Sequence, residues 1–215
     1  MTNRTALIQV LGAVAYGERK AYEGANRQAA ETDDPEEQRA LRTIAAEELR
    51  HHKGFVARLR DLGADPDRAM RPYRAALDRY HGAVGGSPVE EAMWSYLGEG
   101  VADDLLHWLR RVVDPPTAAF IESVVADEEG HEARAADQLR RLLDTTPGAR
   151  REGARAARRM AARMVGSGQG TPLPFLAFLR LGRVPDLVSV IVGGQLRRLR
   201  AVEIDPFRVG VPAWR

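Results

Sequence analysis

Two copies of the pattern Glu-x-x-His stand in polar, helix-forming stretches of this sequence. The first lies in EELRHH, where Glu48 and His51 are three residues apart, and the second lies in VADEEGHEA, with Glu128 and His131. Residues three apart share one face of a helix, so each pair can present a carboxylate and an imidazole to the same point. These are ligands that iron and manganese accept. One such pair is common on a solvated helix, whereas two copies favour a metal site built from two halves.

Helix patterns dominate the chain, and the alternation typical of strands is nearly absent. Asp34 and Ser87 are predicted N-caps because each precedes a proline at the first helical position. The four long helices are predicted over residues 5–30, 35–62, 88–113 and 115–143. Short loops join them into two hairpins, and a long crossover over residues 63–87 joins the hairpins. We therefore predict an all-α fold, a four-helix bundle with the ferritin-like connectivity in which helices 2 and 3 are joined by the long crossover.

Helix geometry predicts two further ligands. In an antiparallel hairpin, residues equally far from the loop lie at equal depth. Fifteen residues before the first loop, at about residue 33, stands Glu18, and fifteen before the second loop, at Asp114, stands Glu99. Each follows a glycine, so the segment is a weak internal duplication. The predicted ligand set for a carboxylate-bridged pair of iron or manganese ions is Glu18, Glu48, His51, Glu99, Glu128 and His131.

Three neighbours are candidates for supporting these ligands. Tyr22, one turn after Glu18, is either a hydrogen-bond partner of a ligand or a core tyrosine. Asp103, one turn after Glu99, either replaces that glutamate as a ligand or supports it. Asp127 either orients His51 through the imidazole N–H or lies on the helix surface. We predict no catalytic residue beyond the metal ligands, and we place Glu47 and His52 beside the ligand face.

The domain division is predicted at residue 145. Residues 1–145 form the bundle, and residues 146–215 form a helical C-terminal extension packed on it. The extension begins with a helix over about 149–165 that carries six arginines between positions 150 and 163. Its arginines are either an RNA-phosphate footprint or a solvated helix face, and the absence of interleaved aromatic residues favours the second. The candidate RNA contacts are Arg150, Arg151, Arg158 and Arg159.

Composition limits the remaining chemistry. The chain of 215 residues has no cysteine, which excludes disulfides, thiolate metal sites and thiol nucleophiles, and 44% apolar residues suffice for a buried core. A net charge of +2 does not by itself indicate nucleic acid. The N-terminus has neither a signal-peptide pattern nor a membrane span, so we predict a cytoplasmic protein.

The segments AYGERKAY, AAEELRHHKGF, YLGEGVADD and ADEEGHEARA resemble the ferritin-like diiron proteins, and within them the hydroxylases that act on methylthio-isopentenyladenosine in tRNA. The resemblance covers about residues 5–145. It implies that the six predicted ligands hold two irons that activate dioxygen. The C-terminal extension has no counterpart in this pattern.

These observations predict a dinuclear non-haem iron enzyme of the hydroxylase or monooxygenase type, acting on a modified tRNA base or a small metabolite. Nothing in the sequence binds flavin or nicotinamide, so an external reductase would supply electrons. The alternatives are a ferritin- or rubrerythrin-like ferroxidase or peroxidase, and a non-catalytic RNA- or partner-binding protein. Buried carboxylates without metal are costly, which disfavours the last. We expect a monomer or homodimer with no membrane contact.

Overall fold

The structure is a computed structural model that describes residues 3–82, 86–167, 177–178 and 180–205. Within these ranges all regular elements are helical, which confirms the predicted all-α class. The helices are α1 (Asn3–Glu31), α2 (Pro35–Asp61), α3 (Pro66–Met70), α4 (Arg74–His81), α5 (Pro88–Met93), α6 (Gly100–Leu109), α7 (Pro115–Thr145), α8 (Ala149–Ser167) and α9 (Val184–Ala201).

The four-helix bundle consists of α1, α2, the α5–α6 pair and α7. Three of its helices begin at the same kind of signal, an N-cap side chain followed by proline. Asp34, Ser87 and Asp114 each accept a hydrogen bond from a backbone N–H of the first turn of α2, α5 and α7. A buried core then joins all four helices, and its members include Leu11, Phe55, Leu106 and Ile121. The bundle is therefore the ferritin-like one that the sequence predicts.

The crossover between α2 and α5 contains α3, a short 3₁₀ turn over Arg71–Tyr73, and α4. Its first part approaches α1 so closely that a Cβ on Gly12 would lie 2.4 Å from the carbonyl oxygen of Ala69. Only glycine is compatible with that contact. The crossover is thereby held against the bundle, and α4 brings Tyr80 and His81 towards the predicted site.

A π-helical turn over Trp94–Glu99 joins α5 to α6. The sequence predicts one regular helix here, to about Val113, and the structure differs both at this turn and at the end, Leu109. Two carbonyls of the turn accept side-chain hydrogen bonds: Tyr80 donates to Gly98 over 2.8 Å, and Gln195 donates to Leu97 over 3.1 Å. π turns are rare and occur often at functional sites.

The C-terminal helices pack against the second half of the bundle. α8 buries Ala154, Ala157 and Met160 in a core cluster shared with α5 and α7, while α9 crosses α6 at a glycine, Gly194. The domain division at residue 145 stays a prediction. Most of the extension between residues 168 and 179, and residues 206–215, lie outside the described residues. None of the helices in the described ranges is long and apolar enough to cross a membrane.

Candidate metal centre

Five of the six predicted ligands converge in one buried cluster between α1, α2 and α7. Glu18 comes from α1, Glu48 and His51 from α2, and Glu128 and His131 from α7. One donor atom from each of Glu18, Glu48, His51 and Glu128 lies within 4.8 Å of the others, a spacing that could hold a metal ion. His51 is 1% exposed, and Glu18 and Glu48 are 7% and 6% exposed. Such burial of carboxylates is unfavourable unless protons or cations neutralise them.

Glu48 and Glu128 each face both imidazoles. Glu48 places Oε2 3.7 Å from Nδ1 of His51 and Oε1 3.4 Å from Nδ1 of His131. Glu128 does the same with distances of 3.3 and 3.4 Å. Glu18 lies 3.4 Å from Nδ1 of His51 alone. Two carboxylates are thus placed to bridge two positions, one beside each imidazole.

The outer nitrogen of each imidazole is hydrogen-bonded to a carboxylate on the other Glu-x-x-His helix. Nε2 of His51 lies 2.9 Å from Asp127, and Nε2 of His131 lies 2.8 Å from Glu47. When each Nε2–H donates to its carboxylate, Nδ1 is left with its lone pair directed into the cluster, the arrangement of a metal-binding histidine. Glu47 is the functional residue that the sequence analysis missed. Its position one residue before Glu48, matching Asp127 before Glu128, is the signal that could have found it.

Glu99 is at the edge of the cluster, at the end of the π turn. Its side chain is exposed to the space of two cavities, whose walls it lines. Desolvation by the surrounding protein raises its pKa to about 8, and repulsion by Glu48 and Glu128 adds to the effect. It is close enough to sense these charges, but no ion pair among the described residues joins it to His131. The depth argument assumed a regular α-helix, which the π turn replaces.

The other candidates are more dispersed. Asp103 is buried and lies 3.6 Å from Arg198, with its carboxylate turned to the C-terminal extension. Tyr22 is half-buried on α1, and none of the hydrogen bonds among the described residues joins its phenol to the cluster. In α8, Arg150 pairs with Asp144 and Arg159 pairs with Glu90.

All four candidate arginines are exposed: Arg150, Arg151, Arg158 and Arg159. Two of the four arginines on this face, Arg150 and Arg159, therefore already have acidic partners within the chain. RNA contact through α8 stays a prediction.

Protons on the imidazoles offset carboxylate charge in the metal-free cluster. Burial alone would lower the pKa of His51, but the facing carboxylates of Glu128, Glu18 and Glu48 raise it to about 12. The pKa of His131 is likewise raised to about 11 against the effect of burial. Burial opposes ionisation of Glu48, but the two facing imidazoles lower its pKa to about 2. Burial raises the pKa of Glu18 well above its ordinary value.

The donor set fits a pair of hard divalent cations. Nδ1 of His51 is buried and has no hydrogen-bond partner among the described residues, although three carboxylates surround it. A cation between these groups would give the nitrogen a partner and offset the carboxylate charges. Oxygen and imidazole donors suit iron and manganese.

An apolar cavity of about 400 Å³ adjoins the cluster between α1, α4 and α6. Glu18, Glu48, Glu99 and Glu128 form its polar end, and Leu77, Trp94, Leu105 and Phe178 are among its apolar walls. On α1 it is bordered by three small residues one turn apart, Ala13, Gly17 and Ala21. A Cβ on Gly17 would meet nothing within 4 Å, so this glycine faces open space. The volume is within the range of small-molecule sites.

A buried arginine from α9 joins the extension to the bundle next to the cluster. Arg198 is 1% exposed and donates to Asp104 over 2.7 Å and to Glu132 over 2.6 and 2.9 Å. Asp103 and Glu132 stand one turn after the predicted ligands Glu99 and Glu128. Arg198 therefore links α6 and α7 beside the cluster.

A bundle with a long crossover and a buried Glu and His cluster is the architecture of ferritin-like proteins. The model of the family described as "Ferritin-like domain, actinomycetes" matches residues 2–171, so the chain belongs to this family. A solved structure titled "Protein 19 with aldehyde deformylating oxidase activity from Synechococcus" is similar to it, with a TM-score of 0.77 and 19% identity over 95% of this chain and 92% of that chain. At that identity the similarity shows the fold alone. No curated protein matches the chain.

Proposed function

We propose that the protein is a dinuclear non-haem iron enzyme that activates dioxygen and oxidises a small apolar molecule. The observation that carries the proposal is the apolar cavity, because its polar end is formed by four of the predicted ligands, Glu18, Glu48, Glu99 and Glu128. A molecule in this cavity would have one end beside the metal pair. Two bound irons in the reduced state would supply the dioxygen chemistry, as non-haem iron centres do.

The chain's own residues would hold and orient the metals. Glu18, Glu48, His51, Glu99, Glu128 and His131 would hold the two ions. Asp127 and Glu47, which hydrogen-bond the outer imidazole nitrogens, would orient His51 and His131 with Nδ1 inward. Since Glu99 ends the π turn, its position would depend on that turn and not on the regular helices.

The cavity would bind its substrate by exclusion of water. Its lining contains no lysine or arginine among the described residues, so nothing there would pair with a phosphate backbone. A small metabolite therefore fits better than a tRNA. The Synechococcus protein's aldehyde activity suggests an aldehyde with an apolar body as a first probe. Electrons would come from a separate reductase, and a cytoplasmic location stays a prediction.

Metal analysis tests the ligand assignment. Protein reconstituted anaerobically with Fe²⁺ should retain two ions per chain, and Glu48→Ala or His131→Ala should abolish or halve that content. Glu23→Gln is the matched control, because Glu23 is an exposed partner of Lys20 on α1 and should leave the content unchanged. Full retention of two irons in both ligand variants would refute the assignment.

Activity tests the oxidase assignment separately. The reduced, iron-loaded protein should consume dioxygen faster when an apolar aldehyde occupies the cavity. Growth of a large iron core without any effect of apolar ligands would instead indicate ferroxidase work.

A further inference from the structure

A second cavity, of about 450 Å³, reaches the cluster between α6, α7 and α9. Glu128 lies on its wall as well as on the wall of the apolar cavity, so both cavities reach the same predicted ligand. We call this second cavity the acidic groove. Five carboxylates line it: Asp103, Glu128, Glu129, Glu132 and Asp137.

The positive charges around the acidic groove do not balance these carboxylates. Arg140 and Arg197 stand on its rim, and Arg140 already pairs with Asp137 over 2.8 Å. Beneath the groove, Arg198 is shared among Asp103, Asp104 and Glu132, and Arg197 lies 3.7 Å from Asp104. Three arginines thus face the five carboxylates of the groove and Asp104, so the carboxylates of the groove outnumber the positive charges beside them.

Asp103 gives independent evidence that the acidic groove binds a ligand. The residue is 7% exposed, and its Oδ1 has no hydrogen-bond partner among the described residues. Its other oxygen, Oδ2, lies 3.6 Å from Arg198, beyond hydrogen-bond length. A buried carboxylate oxygen without a partner is costly unless a ligand completes it. Asp103 lines the acidic groove together with Glu128, so both can face one ion there.

We propose that the acidic groove is a binding and entry site for divalent cations, which pass Asp103 to reach Glu128 and the cluster. The inference rests on the proposed dinuclear function. A hydrated cation would lose its hydration without compensation in the apolar cavity, whereas the groove offers oxygen donors along its length. A cleft lined by one sign of charge also concentrates the opposite ion and raises its association rate. Metal and apolar substrate thus reach the cluster by separate routes.

The rate of metal loading tests the proposal. Co²⁺, whose visible absorption reports binding, is mixed with metal-free full-length protein in a stopped-flow instrument. Ala133 is exposed on the wall of the groove, and Ala133→Lys should slow loading about tenfold or more by placing a cation there. Asp103→Asn should slow it about three- to tenfold, a smaller effect within the same range of electrostatic steering. Both variants should still bind two ions per chain at equilibrium.

Ala119→Lys is the matched control. Ala119 is exposed on the same helix, 14 residues before Ala133 and therefore about 21 Å away, so salt at about 0.1 M screens its charge from the groove. Its loading rate should equal that of the parent protein. Raising the salt concentration should narrow the difference between Ala133→Lys and the parent.

The possible failures are distinguishable. Parent-like loading rates in both Ala133→Lys and Asp103→Asn would overturn the entry proposal and leave the dinuclear site standing. A loss of bound ions in Asp103→Asn would also overturn it, because Asp103 would then be a resident ligand. A parent protein that binds no metal would overturn the proposed function itself.

Discussion

The buried cluster should release about three protons or more when two divalent cations bind at pH 7. Ligands must be deprotonated to bind metal. Three groups of the metal-free cluster have pKa values that keep them mostly protonated at that pH: His51, with a pKa of about 12, His131, with a pKa of about 11, and Glu99, with a pKa of about 8. Burial also raises the pKa of Glu18, so any proton on that carboxyl adds to the count.

The count should depend on pH in a defined way. With a pKa of about 8, Glu99 is about nine-tenths protonated at pH 7 and about one-tenth protonated at pH 9. The imidazoles remain protonated over this range. Release should therefore fall by about one proton between pH 7 and pH 9, and metal affinity should rise with pH because protons compete with the metal.

Calorimetric titration with Mn²⁺ in buffers of different ionisation enthalpy measures the count. Glu99→Gln should release the same number of protons at both pH values, because the group that titrates in this range is gone. Glu23→Gln should behave as the parent. A parent value below two protons, or one that does not change between pH 7 and pH 9, would refute the assignment of protons to these ligands.

Three further outcomes follow from particular contacts. Asp127→Ala should weaken Mn²⁺ binding about 10–100-fold because His51 loses its hydrogen-bond partner. Arg50→Gln removes only the ion pair between Arg50 and Asp127 and should leave the affinity unchanged. Equal Mn²⁺ affinities of the two variants in calorimetry would contradict this role of Asp127. Arg198→Met should lower the free energy of unfolding by about 3–5 kcal/mol, since buried Asp104 loses its hydrogen-bond donor and keeps only Arg197 at 3.7 Å. A urea-melt change below about 1 kcal/mol would argue against the network. Gly17→Ala should stabilise α1 by roughly 0.5–1 kcal/mol, because the added Cβ meets no atom within 4 Å. Gly17→Leu should weaken aldehyde binding, because the larger side chain fills the apolar cavity. Unchanged aldehyde binding in Gly17→Leu would exclude this cavity as the substrate site.

Local sequence signals are sufficient to predict where α2 and α5 begin and to predict most of the cluster. Asp34 and Ser87 cap the N-termini of these helices with their own side chains, within one turn, so these boundaries can be predicted without any tertiary contact. Likewise, Glu48 and His51 share a helix face because of the 3.6-residue period alone. The match between two such pairs and the depth-matched Glu18 then predicted a cluster, and the structure brings these residues together.

The rest was decided by contacts between residues distant in the chain. Glu47 looks like any surface glutamate until α7 places His131 2.8 Å away. Glu99 depends on a π turn whose carbonyls accept hydrogen bonds from Tyr80 and Gln195, the latter almost 100 residues away, so a regular helix drawn from the sequence misplaces it.

Arg198 reads as one charge in a basic run, LRRLR, and becomes a buried link only because α9 crosses α6. Periodicity and caps are local properties that a sequence carries by itself. The burial of a side chain, its hydrogen-bond partners and the two cavities depend on how the helices pack against each other, so only the tertiary structure determines them.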